Sequence, residues 1–170
     1  MTPEQLARCL EEGFGSLEPP RLDELAAADT YYVDKEFVDA VKDKRWQDLR
    51  PMRLYVGDYS EICLLAPKAY QYYLPAYLHA LIDKAGDGFN LLGVLDSLWY
   101  EDLDGELLYG RASMRERWGD RMALLIDQQK KCIAHLLVES LNRTDDRFMG
   151  EHSEALRIEY MLKKFWDAWL

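Results

Sequence analysis

The sequence predicts an all-α protein, a predominantly helical multi-helix bundle that forms a single domain over residues 1–170. Three observations lead to this prediction. Apolar residues recur at three-to-four spacing in several segments. A chain of 170 residues can bury a core without disulfides or metal. Hydrophobic residues make up 49% of the chain, which excludes a disordered protein.

The N-terminal part predicts two helices. Thr2 suits the N-cap, Pro3 the first helical position and Gln5 the reciprocal position of a capping box. The apolar positions of this first helix are Leu6, Cys9, Leu10 and Phe14. Residues 30–49 predict a second helix, which Asp34 would cap. Its apolar side comprises Phe37, Val38 and Val41 and extends to Trp46 and Leu49.

The segment YQYYLPAYLHAL, residues 70–81, places four tyrosines and a proline inside a helical pattern that begins at Pro67. Proline donates no backbone hydrogen bond and disfavours helical geometry at the preceding residue. The helix therefore either kinks, or ends near Tyr73 and is followed by a second helix with Pro75 in its first position. Because tyrosine rings fill cores while their hydroxyls bond buried polar groups, we interpret the segment as a buried, Pro-kinked central helix. Its core and signature residues are Tyr70, Tyr73, Leu74, Pro75 and Tyr77.

The remaining segments are mostly helical in pattern. One short extended segment at residues 53–56 or 62–65 stays open, since short apolar runs fit a strand or a helix. Residues 89–103 predict a helix with Asn90 suited to its cap. From Ser113 the helical pattern continues to the C-terminus, interrupted by a polar break at 142–153. The last helix, with Ser153 as its cap, is expected to bury a stripe of Leu156, Tyr160, Leu162, Phe165, Trp166 and Trp169.

The charge is strongly acidic and unevenly distributed. The chain has 21 Lys and Arg against 31 Asp and Glu, a net charge of −10, which disfavours nucleic acid and anionic membrane as partners. Residues 61–110 carry eight acidic and two basic side chains, whereas residues 111–170 carry ten acidic and eleven basic ones. Aromatic anchors amid complementary charge are typical of protein-binding surfaces. The predicted partner-binding residues are Asp83, Asp87, Asp96, Trp99, Tyr100, Glu101, Asp102, Asp104 and Glu106. The alternative is that Trp99 is a core residue and the acids are only solvated.

No motif specifies a catalytic or cofactor chemistry. Cys9, Cys63 and Cys132 are odd in number and widely spaced, which indicates neither a disulfide framework nor a zinc site. Cys132 and His135 would share a helix face, but two ligands do not complete a zinc site. Neither a P-loop nor a GxSxG or GxGxxG motif occurs, and the sequence has no signal peptide and no long apolar span. We therefore expect a cytoplasmic protein that is not an enzyme and uses no metal or cofactor.

The segment LLAPKAYQYYLPAYLHALI, residues 64–82, resembles the L-(S/T)-P-x-(A/G)-(F/Y)-x-Y-Y-(L/I)-P-A-Y signature of an uncharacterised family of small bacterial proteins, a domain of unknown function. Trp46 with Leu49, a glutamine at Gln128 or Gln129, and the closing residues 154–170 are similar to further elements of that family. The resemblance covers roughly residues 35–170. It departs at Ala66, where the family has Ser or Thr, and at His135, where an aromatic is usual.

The resemblance implies a context, because small, acidic, helical and divergent bacterial proteins of this kind often look like immunity proteins. The first hypothesis is therefore an antitoxin-like immunity protein that inhibits a cognate secreted toxin with a basic surface or active site. The second is a non-inhibitory interaction or scaffold module, which could be a homodimer. The third is a small-ligand binder or enzyme that uses Tyr72, His79 and nearby carboxylates.

Overall fold

The structure, a computed structural model, describes residues 2–26, 35–49, 61–83, 91–98, 111–143 and 154–170. Within these ranges the chain consists of α-helices, short 3₁₀ turns and connecting turns, without a strand, which confirms the all-α class. The predicted caps Asp34, Asn90 and Ser153 and the segment 53–56 lie outside the described residues. The helices are α1 (Pro3–Phe14), α2 (Lys35–Val41), α3 (Pro67–Asp83), α4 (Leu91–Leu98), α5 (Arg111–Leu124), α6 (Asp127–Arg143) and α7 (Glu154–Lys164).

The predicted capping box starts α1. The backbone N–H of Gln5 donates to Thr2 Oγ1 at 3.3 Å, and the N–H of Thr2 donates to Gln5 Oε1 at 2.8 Å. Leu6, Leu10 and Phe14 are fully buried where α1 packs against α3 and α6. The three-to-four spacing of these residues thus becomes the inner face of the helix.

The second helix is shorter than predicted. α2 ends at Val41, and Asp43 adopts a left-handed φ of 56°, which an α-helix cannot continue through. A separate 3₁₀ turn at Trp46–Asp48 then returns the chain to the core. Trp46 is buried, and its Nε1 donates to the carbonyl of Phe14 at 3.4 Å. The apolar residues beyond Val41 therefore reach the core through a turn and not through a helix.

The tyrosine-rich helix α3 is continuous through Pro75, so the division into two shorter helices is wrong. Residues 72–78 are buried without exception, which means that every face of this part of the helix is covered. Pro75 has no N–H to donate to the carbonyl of Gln71, so the helix lacks one backbone hydrogen bond. The apolar surface that residues 72–78 bury offsets the free energy lost with that hydrogen bond. Their burial agrees with the core role predicted for Tyr70, Tyr73, Leu74, Pro75 and Tyr77.

The segment before α3 is not extended. Residues Glu61–Leu64 form a 3₁₀ turn, and Leu65 makes only an isolated antiparallel bridge with Ala26. The N–H of Ala66 donates to the carbonyl of Leu25 at 2.8 Å. Of the two places left open for a short extended segment, 62–65 is therefore excluded, because this stretch is a 3₁₀ turn and a single bridge does not make a strand.

The inner face of α7 differs from the predicted stripe. Leu156 and Tyr160 are 47% and 41% exposed, whereas Ile158 and Met161 are fully buried. Apolar residues occur on two sides of this helix, and packing against α4 and α6 selects the side that includes Ile158. The 3₁₀ turn Trp166–Trp169 follows, with Trp166 fully buried as predicted.

Candidate functional site

The predicted partner-binding surface lies mostly outside the described residues. Asp83 is the last residue of α3, and Asp96 lies within α4. Both helices are anchored in the core, α4 through Val94, Leu95 and Leu98. The other predicted residues fall in the segments that are not described: Asp87, Trp99, Tyr100, Glu101, Asp102, Asp104 and Glu106. The surface itself therefore stays a prediction, next in sequence to two helices whose inner faces are buried.

The four tyrosines of α3 form part of the core. Tyr70, Tyr72, Tyr73 and Tyr77 each expose 2% or less of their surface. The Tyr73 ring packs edge-on against Tyr72 and Phe37, with centroids 4.9 and 6.2 Å apart. Burial raises the pKa of Tyr73 to about 12. A ligand could contact these rings only by displacing core side chains, and a binding role for Tyr72 would need an exposed ring.

Tyr70 and Trp166 complete the C-terminal end of α4. The Tyr70 hydroxyl donates to the carbonyl of Ser97 at 3.1 Å, and Trp166 Nε1 donates to the carbonyl of Leu98 at 3.3 Å. Ser97 Oγ donates to the carbonyl of Val94, one turn earlier, at 2.6 Å. The last carbonyls of a helix have no partner within the helix, so these buried side chains supply the missing donors. The polar atoms at this end of α4 thus have a structural use.

A buried arginine connects α5 to the start of α3. Arg121 is 4% exposed, and its Nη2 donates to the carbonyls of Cys63 at 2.8 Å and Leu65 at 2.7 Å. Its guanidinium carbon lies 4.7 Å from the centroid of the Tyr70 ring. Burial holds the pKa of the Tyr70 phenol well above its ordinary value of 10, although the Ser97 hydrogen bond and the charge of Arg121 both oppose this shift.

Arg121 is not among the residues that the sequence pattern predicts to be important. It is one of four arginines between positions 111 and 121, and no local signal distinguishes it from the others. In the fold, Arg121 donates to the carbonyls at the end of the 3₁₀ turn and stacks on a tyrosine. These partners are far away in the sequence, so the neighbours of Arg121 in the chain do not reveal them.

The side chain of Gln129 joins three helices. It is 1% exposed, and its Nε2 donates to the carbonyl of Gly13 in α1 at 2.8 Å. Its Oε1 accepts from the N–H of Ile126 at 3.1 Å and from Gln71 Nε2 of α3 at 3.0 Å. Gln71 Nε2 also donates to the carbonyl of Leu124 at 2.8 Å. A single buried amide thereby ties the end of α1 and the middle of α3 to the turn between α5 and α6.

Cys9 of α1 and Cys132 of α6 form a disulfide, with their Cα atoms 5.8 Å apart. The odd number and wide spacing of the cysteines, which indicated no disulfide framework, gave no sign of this single bond. The two residues are separated by 123 positions, and the packing of α1 against α6 brings them together. Cys63 lies outside this pair.

In the ranges that the structure describes, no group of three or more His, Cys, Asp or Glu side chains is placed to hold a metal ion. No described helix has both the length and the apolar composition needed to cross a bilayer. The described surface does include apolar side chains, among them Ile126 and Leu170, which are each 56% exposed.

Comparison of the chain with family models, with curated proteins and with solved structures gave no match. Its function must therefore be argued from its own residues.

Proposed function

We propose that this protein is a bacterial immunity protein, which binds a cognate secreted toxin and inhibits it stoichiometrically. The observation that carries the proposal is the charge distribution. Eight acidic and two basic side chains occupy residues 61–110, while residues 111–170 are nearly balanced. A surface of this kind attracts a basic partner, accelerates association and discriminates against acidic competitors.

The aromatic residues of the chain divide into two sets. The tyrosines of α3 are buried and packed against other core rings, so they are unsuited to contact a partner. Trp99 and Tyr100 stand beside Glu101, Asp102 and Asp104 in the sequence. Aromatic anchors carry most of the affinity of many protein interfaces, and the charges around them set the specificity. The proposed toxin-binding surface of this protein is therefore the segment 83–106, with Trp99 and Tyr100 as its aromatic anchors.

The proposal is tested by expressing the product of each adjacent reading frame with and without the chain; we expect one of these products to be toxic when expressed alone. Growth should be rescued, and the two proteins should copurify. The double variant Asp102→Lys/Asp104→Lys should weaken binding by about tenfold or more and lose most of the rescue. The matched control is Glu12→Lys/Glu18→Lys, which makes the same charge change at two exposed positions outside the segment. It should leave binding within about threefold of the parent.

A third variant separates stability from binding. Pro75→Ala alters the buried part of α3, so it should change the unfolding temperature without changing affinity for the toxin. Failure of the parent protein to rescue growth or to bind would contradict the proposal. Equal losses from the two charge variants would instead contradict the assignment of the surface.

A second candidate, a scaffold module that associates with itself, is favoured by the exposed apolar side chains of Ile126 and Leu170. Light scattering coupled to size exclusion distinguishes the two. A dimer that dissociates on Ile126→Asp but not on Gln128→Asp, an exposed neighbour, would support it, and a monomer at all concentrations would reject it.

A further inference from the structure

We propose that Cys9 and Cys132 are a reversible thiol–disulfide pair, in which Cys9 exchanges with external thiols and Cys132 is the buried resolving sulfur. The inference is independent of the toxin-binding proposal. It depends only on how α1 lies against α6 and on the unequal exposure of the two cysteine residues.

α1 and α6 contact each other at Gly13 and Gln129. A methyl group at Gly13 would lie 3.6 Å from Gln129 Cγ and 3.8 Å from Gln129 Cα, so the backbones approach closely at this point. Cys9 lies four residues before Gly13 in α1, and Cys132 lies three residues after Gln129 in α6. These intervals are one helical turn, so the two helices run antiparallel and contact each other at two successive turns.

Cys9 and Cys132 lie at a distance that suits a disulfide. Their Cα atoms are 5.8 Å apart, within the usual range of about 4.4–6.8 Å for a disulfide. The hydrogen bond from Gln129 to the carbonyl of Gly13, at 2.8 Å, holds the neighbouring turn in place. Contacts other than the disulfide therefore hold the two cysteines close together, and we expect the reduced protein to retain this arrangement.

The two cysteines differ in their exposure to solvent. Cys132 is 0% exposed and is followed by Ile133 and Ala134, which are also fully buried. Cys9 is only partly buried. Thiol–disulfide exchange requires a thiolate to reach the sulfur that it attacks. An external thiol or disulfide therefore meets Cys9 in the folded protein, and Cys132 becomes accessible only when α1 opens away from α6.

The reaction balances with a low-molecular-weight disulfide as oxidant. The Cys9 thiolate attacks one sulfur of glutathione disulfide, the S–S bond breaks, and one glutathione leaves and takes up a proton. The Cys132 thiolate then attacks the Cys9 sulfur of this mixed disulfide and releases the second glutathione. Two protein thiols and one small disulfide thus become one protein disulfide and two small thiols, and a dithiol reductant reverses the sequence.

The bond has a consequence for the fold. It closes a loop between residues separated by 123 positions, which restricts the unfolded chain and keeps α1 docked on α6. The oxidised protein should therefore unfold at a higher temperature than the reduced one. The thiol redox state of the surroundings thereby sets how strongly α1 is attached to α6.

The experiment first reduces the folded protein with a dithiol, removes the reductant and then adds glutathione disulfide; the reaction is quenched with acid, and peptide mass mapping locates each modification. In the wild type we expect an intramolecular Cys9–Cys132 disulfide after a transient mixed disulfide at Cys9. The Cys132→Ala variant should accumulate glutathione on Cys9. In the Cys9→Ala variant, Cys132 should react with glutathione disulfide more slowly than Cys9 does in Cys132→Ala, by about tenfold or more. In guanidinium chloride both thiols should react at similar rates, which controls for intrinsic reactivity.

Equal rates at Cys9 and Cys132 in the folded variants would overturn the proposal. A wild type that accumulates glutathione on Cys9 without forming the internal bond would overturn it as well. Circular dichroism checks that the variants are folded. If either is not, the time course of the wild type decides the matter, since first modification at Cys132 contradicts the assigned order. The change in unfolding temperature should be absent from Cys132→Ala when the reductant is varied.

Discussion

Replacement of Gln129 by leucine tests whether one buried amide holds three helices together. Leucine is similar in size but has no polar atoms, so Gln129→Leu removes three hydrogen bonds while leaving little cavity. Those bonds join Gln129 to the carbonyl of Gly13, the N–H of Ile126 and the side chain of Gln71. The effect on stability depends on whether each former partner can form a hydrogen bond with water or with another group.

The three partners differ in their access to water. The Gly13 carbonyl bond is buried, so an unsatisfied acceptor there costs about 1–3 kcal/mol. The Ile126 N–H lies at an exposed turn, and losing its contribution to the start of α6 costs about 0.5–1 kcal/mol. Gln71 keeps its bond to the carbonyl of Leu124 and contributes little. The sum is about 1.5–4 kcal/mol, or roughly 3–16 °C in unfolding temperature for a chain of this length.

The measurement is urea and thermal unfolding followed by circular dichroism, with a reductant present so that the disulfide does not contribute. The matched control is Gln128→Leu, the same substitution one position earlier, where the side chain is exposed. It should change the free energy of unfolding by about 0.5 kcal/mol or less. A loss of less than about 0.5 kcal/mol for Gln129→Leu, or equal losses for the two variants, would refute this account of the amide.

Gln129→Glu tests the contribution of the Gln129 Nε2 donor, because glutamate keeps the acceptor oxygen but replaces the NH₂ group. The carboxylate retains an acceptor for Ile126 but faces the Gly13 carbonyl without a proton to donate. Burial and this repulsion should raise the pKa of the introduced carboxyl group in the folded state. The variant should therefore be most stable below the unfolded pKa of glutamate, about 4.3, and should lose stability as the pH rises through the folded pKa. A free energy of unfolding that does not improve on acidification, relative to the parent, would contradict this.

Two further predictions concern α5 and α3. Gly119→Ala should raise the free energy of unfolding by about 0.5–1 kcal/mol, because the exposed position lies inside α5 and no atom stands within 4 Å of the added methyl group; a lower stability by urea unfolding would contradict it. Tyr70→Phe should lower the free energy of unfolding by about 1 kcal/mol at neutral pH, because it removes the hydrogen bond to the carbonyl of Ser97. Above about pH 10 the wild type should lose stability more steeply than this variant, by up to about 1.4 kcal/mol per pH unit, because Tyr70 ionises in the unfolded chain while burial keeps it protonated in the fold. Parallel pH profiles in alkaline unfolding experiments would refute this.

The features that sequence alone established depend on interactions within about one helical turn. The capping box of Thr2 and Gln5 and the helix start at Pro67 involve neighbours in the chain, and the structure contains both. The all-α class follows from the same local periodicity repeated along the chain. The acidic segment 83–106 is likewise visible in the sequence, since charge needs no contact to be counted.

What the tertiary structure decided depends on partners far away in the sequence. Adjacent Gln128 and Gln129 both fitted the resemblance, and only the position of Gly13, 116 residues away, makes Gln129 the buried one. Arg121 is buried because carbonyls near Cys63, 58 residues earlier, require donors. The Cys9–Cys132 bond depends on how α1 meets α6. A pattern within one helix shows which residues share a face, and the packing of the other helices determines which face is turned inward.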